Sequence, residues 1–296
     1  MTRRFMVAVA VLALAAGCRA SSGNEANQAG AGEGASTPAA ADVPQLSLTR
    51  LDCGTITIKN FDKFFSDRPG LYEAKPRDVT DSCYLIRHGD QQMLWDTGLD
   101  AALKGRSFDM GDGVMRLSLT LEEQLAQAGL KPADVDIVGI SHSHGDHTGQ
   151  APLFPQAQLI IGAGDFEQAK APPPQGGPSP IAPWLKDGAK VTKATADVDV
   201  FGDGSVVALH LPGHTPDHMA LLVKLASGPV LLSGDLYHAR EAREKRGVPP
   251  FNTSREQTLQ SMDRFEKLAK DTGARVVIQH EPRDVALLPA FPKAAE

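Results

Sequence analysis

Ser141-His142-Ser143-His144-Gly145-Asp146-His147 places three imidazoles and a carboxylate within six residues, directly after the apolar run 136–140 (DIVGI). That run reads as a buried strand, so the ligand-rich stretch is the loop at its end. Neutral imidazole and carboxylate suit zinc and similar first-row ions. His142 and His144, two apart, point the same way if the backbone stays extended. Gly145 lets the chain turn before Asp146 and His147. One ion fits the first pair and a second ion fits the other.

On both sides of this loop, apolar stretches alternate with turns. Residues 83–88 (CYLIRH) and 92–95 (QMLW) predict a hairpin around Gly89-Asp90. Residues 120–130 predict a helix: Thr120 and Glu123 form a capping box, Leu121, Leu125 and Ala128 share a face, and Gly129 stops it. Residues 158–161, 206–211, 220–225, 230–232 and 275–279 read as strands, and 254–270 as a helix opened by Ser254 and Gln257. Strand clusters interrupted by helices indicate the α/β class and an αββα sandwich, with two sheets inside and helices outside.

The loop is the HxHxDH motif, and the sequence resembles the metallo-β-lactamase superfamily over most of residues 48–285. The resemblance implies a ligand set, position by position. His142, His144 and His214 (in Pro212-Gly213-His214-Thr215) are expected on the first metal. Asp146, His147 and His280 are expected on the second, and Asp235 (in Ser233-Gly234-Asp235) between the two. Asp96, in Asp96-Thr97-Gly98, is expected to support ligands without binding metal. The implied cofactors are two Zn2+ or similar divalent ions. Such a pair shares one hydroxide and clamps a developing oxyanion.

Asp at position 235, rather than Cys or Ser, resembles lactonases, glyoxalase II enzymes and phosphodiesterases of this superfamily. Leu51-Asp52-Cys53-Gly54, Trp95-Asp96-Thr97-Gly98, Gly213-His214-Thr215-Pro216 and the segment 248–259 are similar to the N-acyl-homoserine lactonase subfamily. The activity implied is opening of the lactone ring, hence quorum quenching, by attack of the metal-bridging hydroxide. Asp146 would carry the proton to the departing alkoxide. Tyr237 would donate a hydrogen bond to the carbonyl. The family's tyrosine stands three residues after the bridging Asp, where this chain has His238, so either residue fits the role. The competing functions are a related hydrolase of another ester, thioester or β-lactam, and a non-catalytic zinc-binding lipoprotein. Cephalosporin turnover without lactone turnover would favour the first of these. The complete ligand set argues against the second.

The chain ends that flank this domain differ in character. Arg3 and Arg4 precede an apolar run over residues 5–16, too short to span a bilayer. The run ends at Leu14-Ala15-Ala16-Gly17-Cys18, which resembles a bacterial lipoprotein processing site. The expected organisation is a signal peptide (1–17), a lipidated Cys18 with a flexible linker (18–44), and a hydrolase domain (45–296). The expected location is a bacterial membrane facing the periplasm, with the outer membrane favoured because Arg19, not Asp, follows Cys18. Loss of two arginines with residues 1–17 takes the formal net charge from −6 to −8. An acidic surface argues against nucleic acid and leaves a small molecule as the expected substrate. A homodimer is an open expectation.

Cys53 and Cys83 lie in apolar, strand-like segments where buried free thiols are common. An exported protein can also join them, and the sequence leaves the choice open. Phe61, Phe64, Phe65 and Tyr72, with Met110 and Met115, are candidates for an acyl-chain groove, for plain core or for a dimer contact. The Pro-rich stretch 171–183 near Trp184 is expected as a surface loop edging the site. His88 and His210 read as structural, and His218 as a support for the turn it follows.

Overall fold

The computed structural model describes residues 45–172 and 176–296; the expected signal peptide, Cys18 and expected linker lie outside the described residues. Eight strands form the first sheet: β1 (Leu46–Ile58), β2 (Arg77–His88), β3 (Gln91–Trp95), β4 (Ser107–Asp109), β5 (Gly113–Arg116), β6 (Ile137–Ile140), β7 (Gln158–Gly162) and β8 (Val191–Ala194). Their order is β4-β5-β1-β2-β3-β6-β7-β8. The second sheet holds β9 (Val198–Asp199), β10 (Val206–His210), β11 (Met219–Leu225), β12 (Gly228–Leu232) and β13 (Arg275–Val277), in the order β13-β12-β11-β10-β9. The helices used below are α1 (Phe61–Phe65), α2 (Leu121–Gln127), α3 (Gly145–Thr148), α4 (Ala163–Ala169), α5 (Arg240–Lys245), α6 (Arg255–Thr272) and α7 (Pro282–Val285).

Side-chain alternation along the strands builds four layers. On β2, Tyr84 and Ile86 face the second sheet, where they meet Leu221 and Val223 of β11. Cys83 and Leu85 face outward against Leu121 and Leu125 of α2 and Phe166 of α4. Ala220 and Leu222 of β11 face the other exterior, under Met262 and Phe265 of α6. The result is an αββα sandwich, two sheets face to face with helices on both exteriors.

Local chemistry sets the helix ends. Thr120 Oγ1 accepts from Glu123 N–H while the Glu123 carboxylate takes Thr120 N–H, both halves of a capping box. Ser254 caps α6, and Gly273 closes it in the left-handed region (φ 64°). The longest strand has no counterpart among the sequence expectations. β1 is a 13-residue strand whose ladder with β2 shifts register between Asp52 and Gly54. That bulge breaks the alternation by which a strand is read.

The same bulge settles the cysteines. Cys53 and Cys83 are joined, with Cα atoms 5.8 Å apart. A link across 30 residues of sequence restricts the unfolded chain by about 3–4 kcal/mol. Cys53→Ala with Cys83→Ala is therefore expected to lower the calorimetric Tm by roughly 6–16 °C. An unchanged Tm would contradict this.

Three parallel neighbours, β3, β6 and β7, end on the same edge of the first sheet. β12 and β13, parallel to each other, end in the second. The loops after β3, β6, β12 and β13 carry Asp96, residues 141–147, Asp235 and His280 respectively.

Candidate metal centre and cavity

The structure brings all seven expected ligands together. His142, His144, His214 and Asp235 form one group and Asp146, His147 and His280 another; within each, the ligand atoms lie within 4.8 Å of one another. In the first group His144 Nδ1 stands 3.0 Å from His142 Nε2 and 3.2 Å from His214 Nε2. In the second, His147 Nε2 and His280 Nε2 are 3.3 Å apart, and Asp146 Oδ2 is 3.9 Å from each. Asp235 spans both groups. Its Oδ2 lies 3.5 Å from His142 and 3.4 Å from His214. Its Oδ1 lies 3.2 Å from His147 and 3.0 Å from His280.

This donor set fits two divalent cations. Ring nitrogens face ring nitrogens with no acceptor for every proton they would carry, and Asp235 Oδ1 is buried without a well-aligned hydrogen-bond donor. A cation in each group satisfies all of these atoms at once.

Supporting contacts fix which nitrogen each ring offers. His147 Nδ1–H donates to Asp96 Oδ2 at 2.9 Å, His214 Nδ1–H to Asn252 Oδ1 at 2.9 Å, and His280 Nδ1–H to Thr80 O at 2.7 Å. Ser141 Oγ lies 3.0 Å from His142 Nδ1. These four rings thus turn Nε2 inward, whereas His144 turns Nδ1 inward. His218 donates Nδ1–H to Leu211 O at 3.1 Å and accepts Asp235 N–H at 2.9 Å. His88 pairs with Asp203, and His210 with Asp217, both away from the ligands.

Asp165, at the start of α4, escaped the sequence analysis. Its buried carboxylate accepts Ser143 N–H at 2.8 Å, Thr215 Oγ1–H at 3.0 Å and Asp217 N–H at 2.9 Å. Ser143 lies between two first-group ligands and Thr215 follows the third, so one carboxylate ties both loops together. A lone Asp in an amphipathic helix carries no sequence signal of such a role.

His142 and His144 are shifted one way and His147 and His280 the other. Burial and neighbouring imidazoles push His144 down to about 3, and hold His142 well below its usual value. His280 is also opposed by burial, but the Asp235 carboxylate outweighs it and raises the ring to about 9. His147 rises well above normal in the same way, through Asp235, Asp96 and Asp146. Without metal, His142 and His144 are neutral and ready at neutral pH, while His147 and His280 must release protons. Affinity for the second ion is therefore expected to rise with pH up to about 9, by up to about tenfold per pH unit for each proton released. Titration calorimetry at pH 7 in buffers of different ionisation enthalpy will measure that release. Binding of both ions without it would refute the assignment.

Two expectations need correction. Tyr237 does not face the centre. Its side chain is buried beside Phe265, and its hydroxyl donates to Glu266 Oε1 at 3.0 Å. His238 occupies that place instead, with Nε2 3.0 Å from Asp235 Oδ2 and its ring 4.2 Å from that of Phe65. Burial lowers His238 to about 4, so it is neutral at neutral pH and keeps one N–H. The Pro-rich stretch 171–183, expected at the edge of the site, contributes none of its described residues to the cavity that meets the ligands, and the neighbouring Trp184 is buried, its indole N–H donating to Ala157 O at 2.8 Å. Residues 173–175 of the Pro-rich stretch lie outside the described residues.

A cavity of about 340 Å³ opens on both groups, lined there by His144, Asp146, Asp235, His238 and His280. Its walls are apolar: Phe64, Phe65, Met110, Met115 and Phe251, with Ile56, Ile58 and Val79. Phe61 and Tyr72 pack instead in the adjoining core. A groove of about 480 Å³ beside Arg87 and Glu296 is larger, but contains none of the ligands.

The family model of the Metallo-beta-lactamase superfamily matches residues 77–280. The N-acyl homoserine lactonase AttM of Azorhizobium caulinodans is 35% identical over 197 residues, covering 61% of this chain and 70% of that protein. The protein of the same name from Rhizobium johnstonii is 32% identical over 236 residues, covering 72% and 85%. Among solved structures, an N-acyl homoserine lactone hydrolase with N-hexanoyl-L-homoserine at its catalytic metal centre superimposes with a TM-score of 0.72. That match has 21% identity and covers 86% of this chain and 100% of that one, a likeness of fold.

Proposed function

Because the chain belongs to the metallo-β-lactamase superfamily, we propose that it is a hydrolase that opens the ring of N-acyl-homoserine lactones, with two zinc ions as cofactors. One observation carries this reading: the apolar cavity ends directly on the ligand cluster. Such a shape takes an amphiphile, a polar carbonyl at the floor and an aliphatic chain along the walls. The AttM relatives carry the same activity in their names.

When bound, the ions supply Lewis acidity and lower the pKa of water to about 7. His142, His144 and His214 would hold one ion and Asp146, His147 and His280 the other, with Asp235 in reach of both. The chain's own groups do the rest. His238, neutral, keeps its one N–H on Asp235 Oδ2 at 3.0 Å and so fixes the carboxylate that lies between the two ligand groups. Burial opposes ionisation of Asp146, but His147 and His280 hold its pKa below the usual carboxylate value. Asp146 is therefore ready to take a proton from the attacking water and hand it to the ring oxygen as the C–O bond breaks. The phenylalanines and methionines shield the scissile ester from bulk water. One water is consumed, and the product is the acyl-homoserine.

The test is proton release by the zinc-loaded protein on acyl-homoserine lactones of short and long chain. Rapid release, faster for chains that fill the walls, is expected. Silence with both ions bound would refute the lactone and turn attention to other esters or lactams. Export and lipid attachment at Cys18, which lies outside the described residues, are part of the same proposal. Palmitate labelling that persists in Cys18→Ser would refute them.

A further inference from the structure

We propose that Gln279 is a positioning residue that holds the second metal's ligands in register. Its side chain is fully buried between the sheets and makes four hydrogen bonds. Nε2 donates to Asp96 Oδ2 at 2.9 Å and to Ser82 O at 3.2 Å. Oε1 accepts from Gly234 N–H at 3.0 Å and from Trp95 Nε1–H at 3.2 Å. Two acceptors on one side and two donors on the other leave a single orientation for the amide.

Each link leads toward the second group. Asp96 Oδ2 is also the oxygen that takes His147 Nδ1–H. Gly234 immediately precedes Asp235 and sits in the left-handed region (φ 52°). A Cβ there would lie 2.5 Å from His218 Nε2. Gln279 on one side and His218 on the other therefore fix the peptide that aims Asp235. His280 is the next residue, and Ser82 Oγ–H anchors the Gln279 carbonyl at 2.7 Å. One side chain thus braces the supports of His147, Asp235 and His280. Among the first group it reaches only the shared Asp235. No other residue type meets the same demands. A carboxylate here would face Asp96, and a hydrocarbon would strand four buried polar groups.

The inference rests on the two-metal reading and not on the lactone, so it stands or falls separately from the substrate. The experiment uses the full chain carrying Gln279→Glu, Gln279→Met or Trp95→Phe. Trp95→Phe removes one of the four bonds but leaves the links to Asp96 and Gly234. Stepwise zinc constants are read by competition with a chromophoric chelator, alongside the Tm of each metal-free protein. In Gln279→Glu one step is expected to weaken about 10–100-fold while the other stays within about threefold. Trp95→Phe is expected to lower the metal-free Tm with both steps within about threefold of the parent. Equal weakening of both steps in Gln279→Glu, no weakening at all, or weakening of the same size in Trp95→Phe would overturn the proposal. If Gln279→Met does not fold, Gln279→Glu, which keeps the shape, carries the test.

Discussion

Asp235→Ala is expected to reduce lactone hydrolysis on the order of 10³-fold or more, down to the background rate at the lower limit of detection. The Asp235 carboxylate reaches both ligand groups, with one oxygen toward each. Its removal leaves buried imidazoles facing each other with no carboxylate between them. It also removes the largest influence that raises His280 and His147. The variant should therefore show two things besides lost turnover. Metal analysis should find fewer than two ions per chain after dialysis. Proton NMR of the metal-free protein should find the His280 titration moved down from about 9. Full activity with two retained ions would refute the bridging assignment.

A paired substitution carries the second large effect. His238→Phe is expected to lower kcat by about 10–100-fold, the cost of removing the N–H that orients the Asp235 carboxylate. KM should change little, because phenylalanine keeps the stacking on Phe65. Tyr237→Phe should leave kcat within about threefold of the parent, since it loses only a hydrogen bond to Glu266 worth about 1 kcal/mol in stability. Steady-state kinetics on one long-chain lactone decides the matter. A large kcat loss in Tyr237→Phe with a silent His238→Phe would reverse the assignment.

The contrast between these neighbours shows where sequence reading reached its limit. His142, His144, Asp146 and His147 were legible from their own residues, because a dense His/Asp cluster after a strand is a local feature; His214, Asp235 and His280 were reached only through the family resemblance. The choice between residues 237 and 238 depends on backbone phase. Gly234–Leu236 form a short 3-10 turn, after which Tyr237 is extended (φ −138°, ψ 141°). Successive side chains then point to opposite sides, Tyr237 to the core under α6 and His238 to the cavity. That phase depends on Gly234 adopting a positive φ, which the sequence permits without requiring. Asp165 and Gln279 were invisible for another reason. Most of their partners lie 22 to 197 residues away, and a single polar residue in an apolar stretch does not say what it meets. The Cys53–Cys83 link was likewise hidden behind the register shift at Asp52.

The two sheets do not contribute alike to the centre. Residues 142–147 come from the end of a first-sheet strand, and His214, Asp235 and His280 from the second sheet. Any cation held there is therefore a clasp between the halves of the sandwich as well as a reagent. Free ion at 100 times the dissociation constant adds about 2.7 kcal/mol to the folded state for each site that exists only when the halves are closed. Metal supply would then govern how long the molecule survives, not only how fast it works. In a zinc-starved environment the two halves would part more often, and the chain would be open to proteases before its substrate ran out.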